Sequence, residues 1–422
     1  MFLLNVGSKW TLATELESVR GAVFLASSNS GVRFTRRTSP DLGRIIIDPQ
    51  LYLSNLDVKA CSKVCGRLAT HPWFMVDGVP EFDGALSVTT WQKVVNTAAS
   101  ENWTGEPPQG EQVRQSCLAA IRAQVEFGCT HIILPVPMLD EREDAGGLLA
   151  EWLDAGLEAA NELEVGQPLL ATVAIAQPTL NKEAFEPGGF LEAIVDQVTA
   201  RVGLGGVYIV IGLFSAALHP FETQQPALKA YAHLSHAFRE SRFETVMVNF
   251  ADVFGLVCVA AGATDLATGE SQTRRRLCMN AFRDQGGGVA VPHFYSHAAL
   301  AEFATETDLN PIIKARLVRR IIDETPYSEE LFETLANTGT AADSPGWAEG
   351  QNNVGLAQRH FITRLALEGE AFRVVTRKKR SVAIRDALDE AEATELLLTK
   401  RLGRRVGRYA PAKAWRDVLD DF

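Results

Sequence analysis

The sequence predicts a TIM-like (β/α)8 barrel with an insertion near the N-terminus and a helical C-terminal extension. Three observations predict it. Short runs rich in Val and Ile recur through residues 20–310 without polar/apolar alternation, as in strands buried on both faces. Helix-like segments lie between most of them, several closing on a glycine where a left-handed C-cap belongs. Residues 244–269 contain one whole cycle: strand Thr245–Asn249 (TVMVN), helix Ala251–Ala261, C-cap Gly262 and strand Ala263–Ala267 (ATDLA).

The expected strands begin with Ala22–Ala26 (AVFLA) and Arg44–Asp48 (RIIID). His131–Pro135 (HIILP), Leu169–Ala176 (LLATVAIA) and Gly206–Ile211 (GVYIVI) follow. Thr245–Asn249, Ala263–Ala267 and Gly288–Val291 (GVAV) complete a set of eight. Expected helices are Glu111–Phe127, Gly146–Leu163, Phe190–Val202, Pro226–Glu240, Ala251–Ala261 and Glu270–Asp284. Right-handed crossovers between parallel strands then wind the chain into a ring.

The beginning fits less well. Residues 27–43, between the first two strands, contain SSNSG and TRRTSPDLG and read as a loop or hairpin. Residues 54–110 are long for one connection and read as an insertion over one rim, with helices Val58–Ala69 and Thr89–Ala99. A doubly wound open α/β sheet is the rival architecture.

Beyond the barrel unit, 1–310, the region 311–422 reads as helical: Pro311–Asp323, Ser328–Asn337, Val354–Glu368 and Ser381–Leu402. Residues 338–351 read as a small-residue linker or exposed loop. Ile384, Leu388, Ala391, Leu398 and Leu402 form one apolar stripe, suited to docking on the barrel or on a partner subunit.

With 46% hydrophobic and 22% charged residues, the 422-residue chain has globular composition. Its net charge of −11 is uneven: residues 371–422 hold 13 basic and 8 acidic side chains, leaving 28 and 44 in residues 1–370. The acidic body excludes a broad nucleic-acid surface, so any such contact falls to the basic tail. An intramolecular dock of that tail onto the body is the plainer reading. Six scattered cysteines suit buried thiols, the N-terminus lacks signal-peptide features, and no apolar run reaches membrane-spanning length. The expected location is the cytosol, with no membrane contact.

Ligand sites in such barrels gather at the carboxyl ends of strands. This rule selects Asp48, Gln50, Asp140, Gln177, Asn249, Asp265 and His293. Asp48, before Pro49, suits a general base, a metal ligand or a turn former. Asp265 shares strand parity with Ala263 and Ala267, so an inward carboxylate needs a ligand or an arginine, and Arg274–Arg276 are near in sequence. The turn Thr268–Ser271, with Gly269, suits either a phosphate site or an ordinary helix cap. His293 and Tyr295 suit a proton shuttle and an oxyanion donor, against an aromatic packing cluster; His297 begins the next helix.

Other patterns carry less. Cys61 and Cys65 lack a complementary pair, His233 and His236 lack HExxH, and the acidic loop 140–144 reads as solvated. No metal or cofactor is indicated, and there is no GxSxG elbow. The expectation is an enzyme acting on a small polar, phosphorylated or nucleoside-like ligand. Asp265, His293 and Asp48 are its catalytic candidates; Gln177, Asn249, Gly269, Tyr295 and Arg274 are its ligand-binding candidates. The alternative is a non-catalytic barrel whose C-terminal helices and basic tail join a protein or nucleic-acid assembly, or a second copy of the chain.

Overall fold

The strands of the main sheet are β1 (Phe2–Val6), β2 (Gly21–Leu25), β3 (Arg44–Asp48), β4 (Ile132–Leu134), β5 (Leu169–Ala176), β6 (Leu204–Gly212), β7 (Thr245–Asn249) and β8 (Asp265–Gly269). The computed structural model describes residues 1–7, 10–36, 41–140, 144–214, 221, 224–284, 291–350 and 354–422. All eight strands are parallel, in the order β3-β2-β1-β8-β7-β6-β5-β4. Most of their residues are buried, which is why the runs are continuously apolar.

The sheet curls into a nearly closed (β/α)8 barrel. Its outer strands meet at Thr130, whose N–H donates to the Ile45 carbonyl at 2.8 Å and whose hydroxyl accepts from the Ile45 N–H at 3.0 Å. A second observation proves the curl. Tyr208 on β6 donates to Asp48 on β3 at 2.7 Å. Five strand spacings of ~4.8 Å would hold those strands about 24 Å apart in a flat sheet. The doubly wound rival is thereby excluded.

The ring differs from the expected one at a single strand. Phe2–Val6 is its first strand, pairing with both β2 and β8. The expected strand Gly288–Val291 falls largely on 288–290, outside the described residues; Val291 is not in a strand, and the ring is complete without it. The helices match more closely: Glu111–Phe127 has the expected bounds, and Ala145–Glu162 and Gln225–Glu240 differ by one residue. The helix expected over Glu270–Asp284 is reduced to Gln272–Arg275 and a 3-10 turn at Met279–Phe282. Gly262 caps Gly255–Ala261 at φ 147°, and a Cβ there would lie 2.8 Å from the Ser235 carbonyl oxygen. No other residue fits both constraints.

The insertion contains helices Ser62–Leu68 and Val88–Asn102 joined through a 3-10 turn at Pro72–Phe74. Trp73 anchors it, donating from its indole nitrogen to the Pro49 carbonyl at 3.0 Å.

After the barrel the chain builds a three-stranded antiparallel sheet from β9 (His293–Ser296), β10 (Ala301–Ala304) and β11 (Arg408–Tyr409). Phe294, Phe303, Leu331, Trp347 and Tyr409 form its core with the C-terminal helices. This second unit thus recruits β9 and β10 from before residue 310. Trp347, within the expected linker, is fully buried. The helix Arg377–Leu402 buries Ile384, Leu388, Ala391 and Leu398 and packs on Gly255–Ala261 of the barrel. Much of the basic tail pairs within the chain: Arg377 with Glu240, Arg385 with Asp420, Arg405 with Glu395, and Arg416 with Asp389 and Glu392. No helix among the described residues is long and apolar enough to cross a membrane.

Candidate functional site

Four strands contribute one polar side chain each to a chain of hydrogen bonds inside the barrel. Asp48 ends β3, and its Oδ2 accepts from the hydroxyls of Tyr52 at 2.6 Å and Tyr208 at 2.7 Å. Its Oδ1 accepts from the Gln50 N–H at 3.0 Å. The Tyr208 hydroxyl in turn accepts from the Asn249 amide at the end of β7. The Asn249 Oδ1 accepts from Asn5 of β1 at 2.7 Å and from the Phe250 N–H at 2.6 Å. Asn5 also donates to the Arg274 carbonyl at 3.0 Å, which ties the network to the loop after β8.

Burial dominates the electrostatics. It pushes the Asp48 carboxyl up to about 6, while the bonds from Tyr52, Tyr208 and Gln50 hold it lower than burial alone would. Burial likewise raises both tyrosine hydroxyls well above their usual range, with the Asp48 charge adding to the effect. Asp48 is therefore poised to change charge near neutrality, while both tyrosines stay donors.

Above this network a cavity of about 170 Å³ opens at the carboxyl-end rim. Leu25 at the end of β2, Ser27 and Ser28 after it, Gln50 after β3 and Phe250 after β7 line it. Thr273 and Arg274 after β8, Val64 and Arg67 from the insertion, and Ala281 and Phe282 complete the wall. Gln50 joins cavity to network: its Oε1 accepts from the Ser27 N–H at 2.7 Å and its Nε2 lies 3.5 Å from the Tyr52 hydroxyl. Two lining residues adopt left-handed backbone, Gln50 at φ 54° and Phe250 at φ 59°. Such strain persists in non-glycine residues where surrounding structure enforces it, and it gathers at functional sites.

The insertion supplies Arg67, a residue the sequence did not single out. Its Nε donates to the Ser27 carbonyl at 2.7 Å, and its terminal nitrogens have no partner among the described residues. Burial lowers its pKa, and the neighbouring Arg274 and Arg33 charges act in the same direction against Asp284. Arg274 folds back over the barrel end and pairs with Glu270. Gly7 and Gly269 make room for it, since a Cβ at either would collide with its side chain.

No protein-family model matches the chain, and no curated protein matches it either. The assignment therefore rests on the residues themselves.

The structure divides the expected site residues into three groups. Asp48 and Asn249 share the buried network, and Arg274, seated on Gly269, lines the cavity above it. Gln177 is on the same rim, where its Oε1 accepts from the Phe214 N–H at 3.4 Å, but it does not line the cavity. Asp265, His293 and Tyr295 are elsewhere. Asp265 opens β8 at the amino end of the barrel and pairs with Arg44 at 2.6 Å and the Met1 amino group at 3.3 Å. Its arginine is Arg44 rather than one of Arg274–Arg276. His293 opens β9 in the second sheet, with Nδ1 2.8 Å from the Val291 carbonyl oxygen. Tyr295 is fully buried there, packed edge-on against Phe361.

No group of three or more His, Cys, Asp or Glu side chains that could hold a metal ion occurs among the described residues. Glu141 and Glu143 of the acidic loop lie outside those residues. The signal that would have found Tyr208 and Asn5 is the isolated polar atom in an otherwise apolar buried run, GVYIVI and FLLNV.

Proposed function

We propose that the chain is a barrel enzyme acting on a small polar, anionic ligand held in the cavity at its carboxyl-end mouth. The observation that carries this reading is the convergence on one cavity of Arg67, Arg274 and the left-handed residues Gln50 and Phe250. Its volume is below the ~300–1,000 Å³ of sites for drug-sized molecules, which suits a small ligand or one end of a larger one. Gln50, Ser27 and Ser28 orient the ligand, and the two arginines hold its negative end. Asp48 acts as a positioning residue: its charge sets the hydrogen bonding of Tyr52, and through it the side chain of Gln50. The cysteines, all buried, favour a reducing compartment such as the cytosol.

A non-catalytic barrel is the second reading. It is favoured by Asp48 being fully buried with three hydrogen-bond donors and not lining the cavity.

A turnover screen separates the two. The purified chain is incubated with pooled polar metabolites and depletion is followed by mass spectrometry. The enzyme reading expects depletion that slows at least tenfold in Asp48→Asn and in Arg67→Ala. Unchanged pools favour the non-catalytic barrel.

A further inference from the structure

Arg67 is an unusual residue to leave half-paired. Its Nε is fixed on the Ser27 carbonyl, so the plane of the guanidinium is set and its terminal nitrogens are presented as a fork without a partner among the described residues. Arg274 lines the same cavity. Its charge is met by Glu270, whereas Arg67 has no carboxylate at ion-pair distance among the described residues and feels only the more distant Asp284. Arg67 and Arg274 are like charges beside one partly desolvated hollow, and an anion held there would relieve their repulsion. The fork suits an oxyanion with two oxygens in one plane, the geometry that distinguishes arginine from lysine at phosphate sites. Ser27, Ser28 and Thr273 line the same wall, and the serine hydroxyls would add neutral donors.

The position in the barrel agrees. Phe250 follows β7 and Thr273 and Arg274 follow β8, the two loops where barrels of this architecture most often hold a phosphoryl group.

We infer that the cavity is a subsite for a phosphate-class dianion, either free phosphate or the phosphoryl group of a phosphomonoester, with Arg67 its principal ligand and Arg274 its second. This rests on the proposed reading of the mouth as a ligand site and specifies which end of the ligand enters first.

Calorimetric titration of the full chain with inorganic phosphate, ribose 5-phosphate and ribose tests it. Both phosphates are expected to bind and ribose is not. Arg67→Ala is expected to weaken phosphate binding at least tenfold and Arg67→Lys about fivefold, since lysine keeps the charge and loses the fork. Should the alanine variant fail to fold by circular dichroism, Arg67→Gln retains the aliphatic stem and serves instead. Tighter binding of ribose 5-phosphate than of phosphate identifies an ester ligand, and equal binding identifies free phosphate; both support the inference. Ribose binding as well as its phosphate, or an arginine variant binding phosphate like the wild type, overturns it. A neutral substrate in the turnover screen, with phosphate affinity independent of Arg67, sinks the subsite while the enzyme reading stands. Arg67-dependent phosphate binding without turnover of any metabolite does the reverse.

Discussion

The Tyr208 hydroxyl donates to the Asp48 carboxylate at 2.7 Å across the barrel interior, although 160 residues separate the two in the chain. Tyr208→Phe removes that donor and strands the Asn249 amide that the hydroxyl accepts from. A loss of about 1–3 kcal/mol is expected, the range for a buried charge-assisted hydrogen bond with a polar group left unsatisfied. Urea denaturation monitored by circular dichroism measures it, and a loss below 0.5 kcal/mol (about the effect of an ordinary surface change) would show the network to be slack.

The sign of the pH dependence at Asp48 follows from its raised pKa. The folded chain holds this proton up to about pH 6, whereas the unfolded chain releases it near 3.8. The stability it contributes is present below pH 3.8 and is lost as pH rises through 6, by up to about 3 kcal/mol. Asp48→Asn abolishes that component. Denaturation midpoints measured from pH 4 to 7 should therefore rise more steeply with pH in the variant than in the wild type.

His71 works in the opposite direction. Its Nε2 lies between the Ala26 and Asn29 carbonyl oxygens, at 3.2 and 2.8 Å, while Nδ1 is buried without a partner among the described residues. A second proton would sit on that buried nitrogen, so burial lowers the pKa to about 4. Its stabilising contribution is full above pH 6.5 and is lost as pH falls through 4. His71→Gln, which keeps one donor and does not titrate, should move the acid-unfolding midpoint to lower pH. An unmoved midpoint would remove His71 from the cause.

Gly7→Ala tests the seat of Arg274. The added methyl collides with the guanidinium, so Arg274 must leave its place at the barrel end. Phosphate affinity should fall severalfold, and unfolding free energy should fall by about 1–3 kcal/mol, because the displaced Arg274 leaves the buried Glu270 without its partner. Titration and denaturation of the same preparation separate the effects.

Asp265→Asn tests the floor. The change leaves Arg44 and the Met1 amino group beside a neutral amide. Destabilisation of about 1–3 kcal/mol is expected, because the carboxylate is buried while its two cationic partners are partly exposed. Phosphate affinity should stay at the wild-type value, because the residue is at the opposite end of the barrel from the cavity.

The barrel was legible because seven of its strands carry the apolar signature of two-sided burial. Phe2–Val6 was not, since five residues at a chain start, with no turn before them, look like a fraying end. The error at Asp265 has a different origin. The strand was expected at 263–267 and runs 265–269, a shift of two that preserves which face each residue takes but moves Asp265 from the middle of the strand to its first position. Asp48 and Asn249 were legible because each closes its strand at the expected residue. Arg67 was not, because its value depends on the fold of the insertion against Ser27, forty residues away.

The pairing of β1 with β8 spans more than 260 residues and has a consequence for synthesis. A ribosome must deliver the chain through Gly269 before Phe2–Val6 acquires its second neighbour, so this strand keeps one edge open while the intervening residues are made. Growth of the nascent protein should therefore be marked by a late, abrupt gain of protease resistance rather than a gradual one.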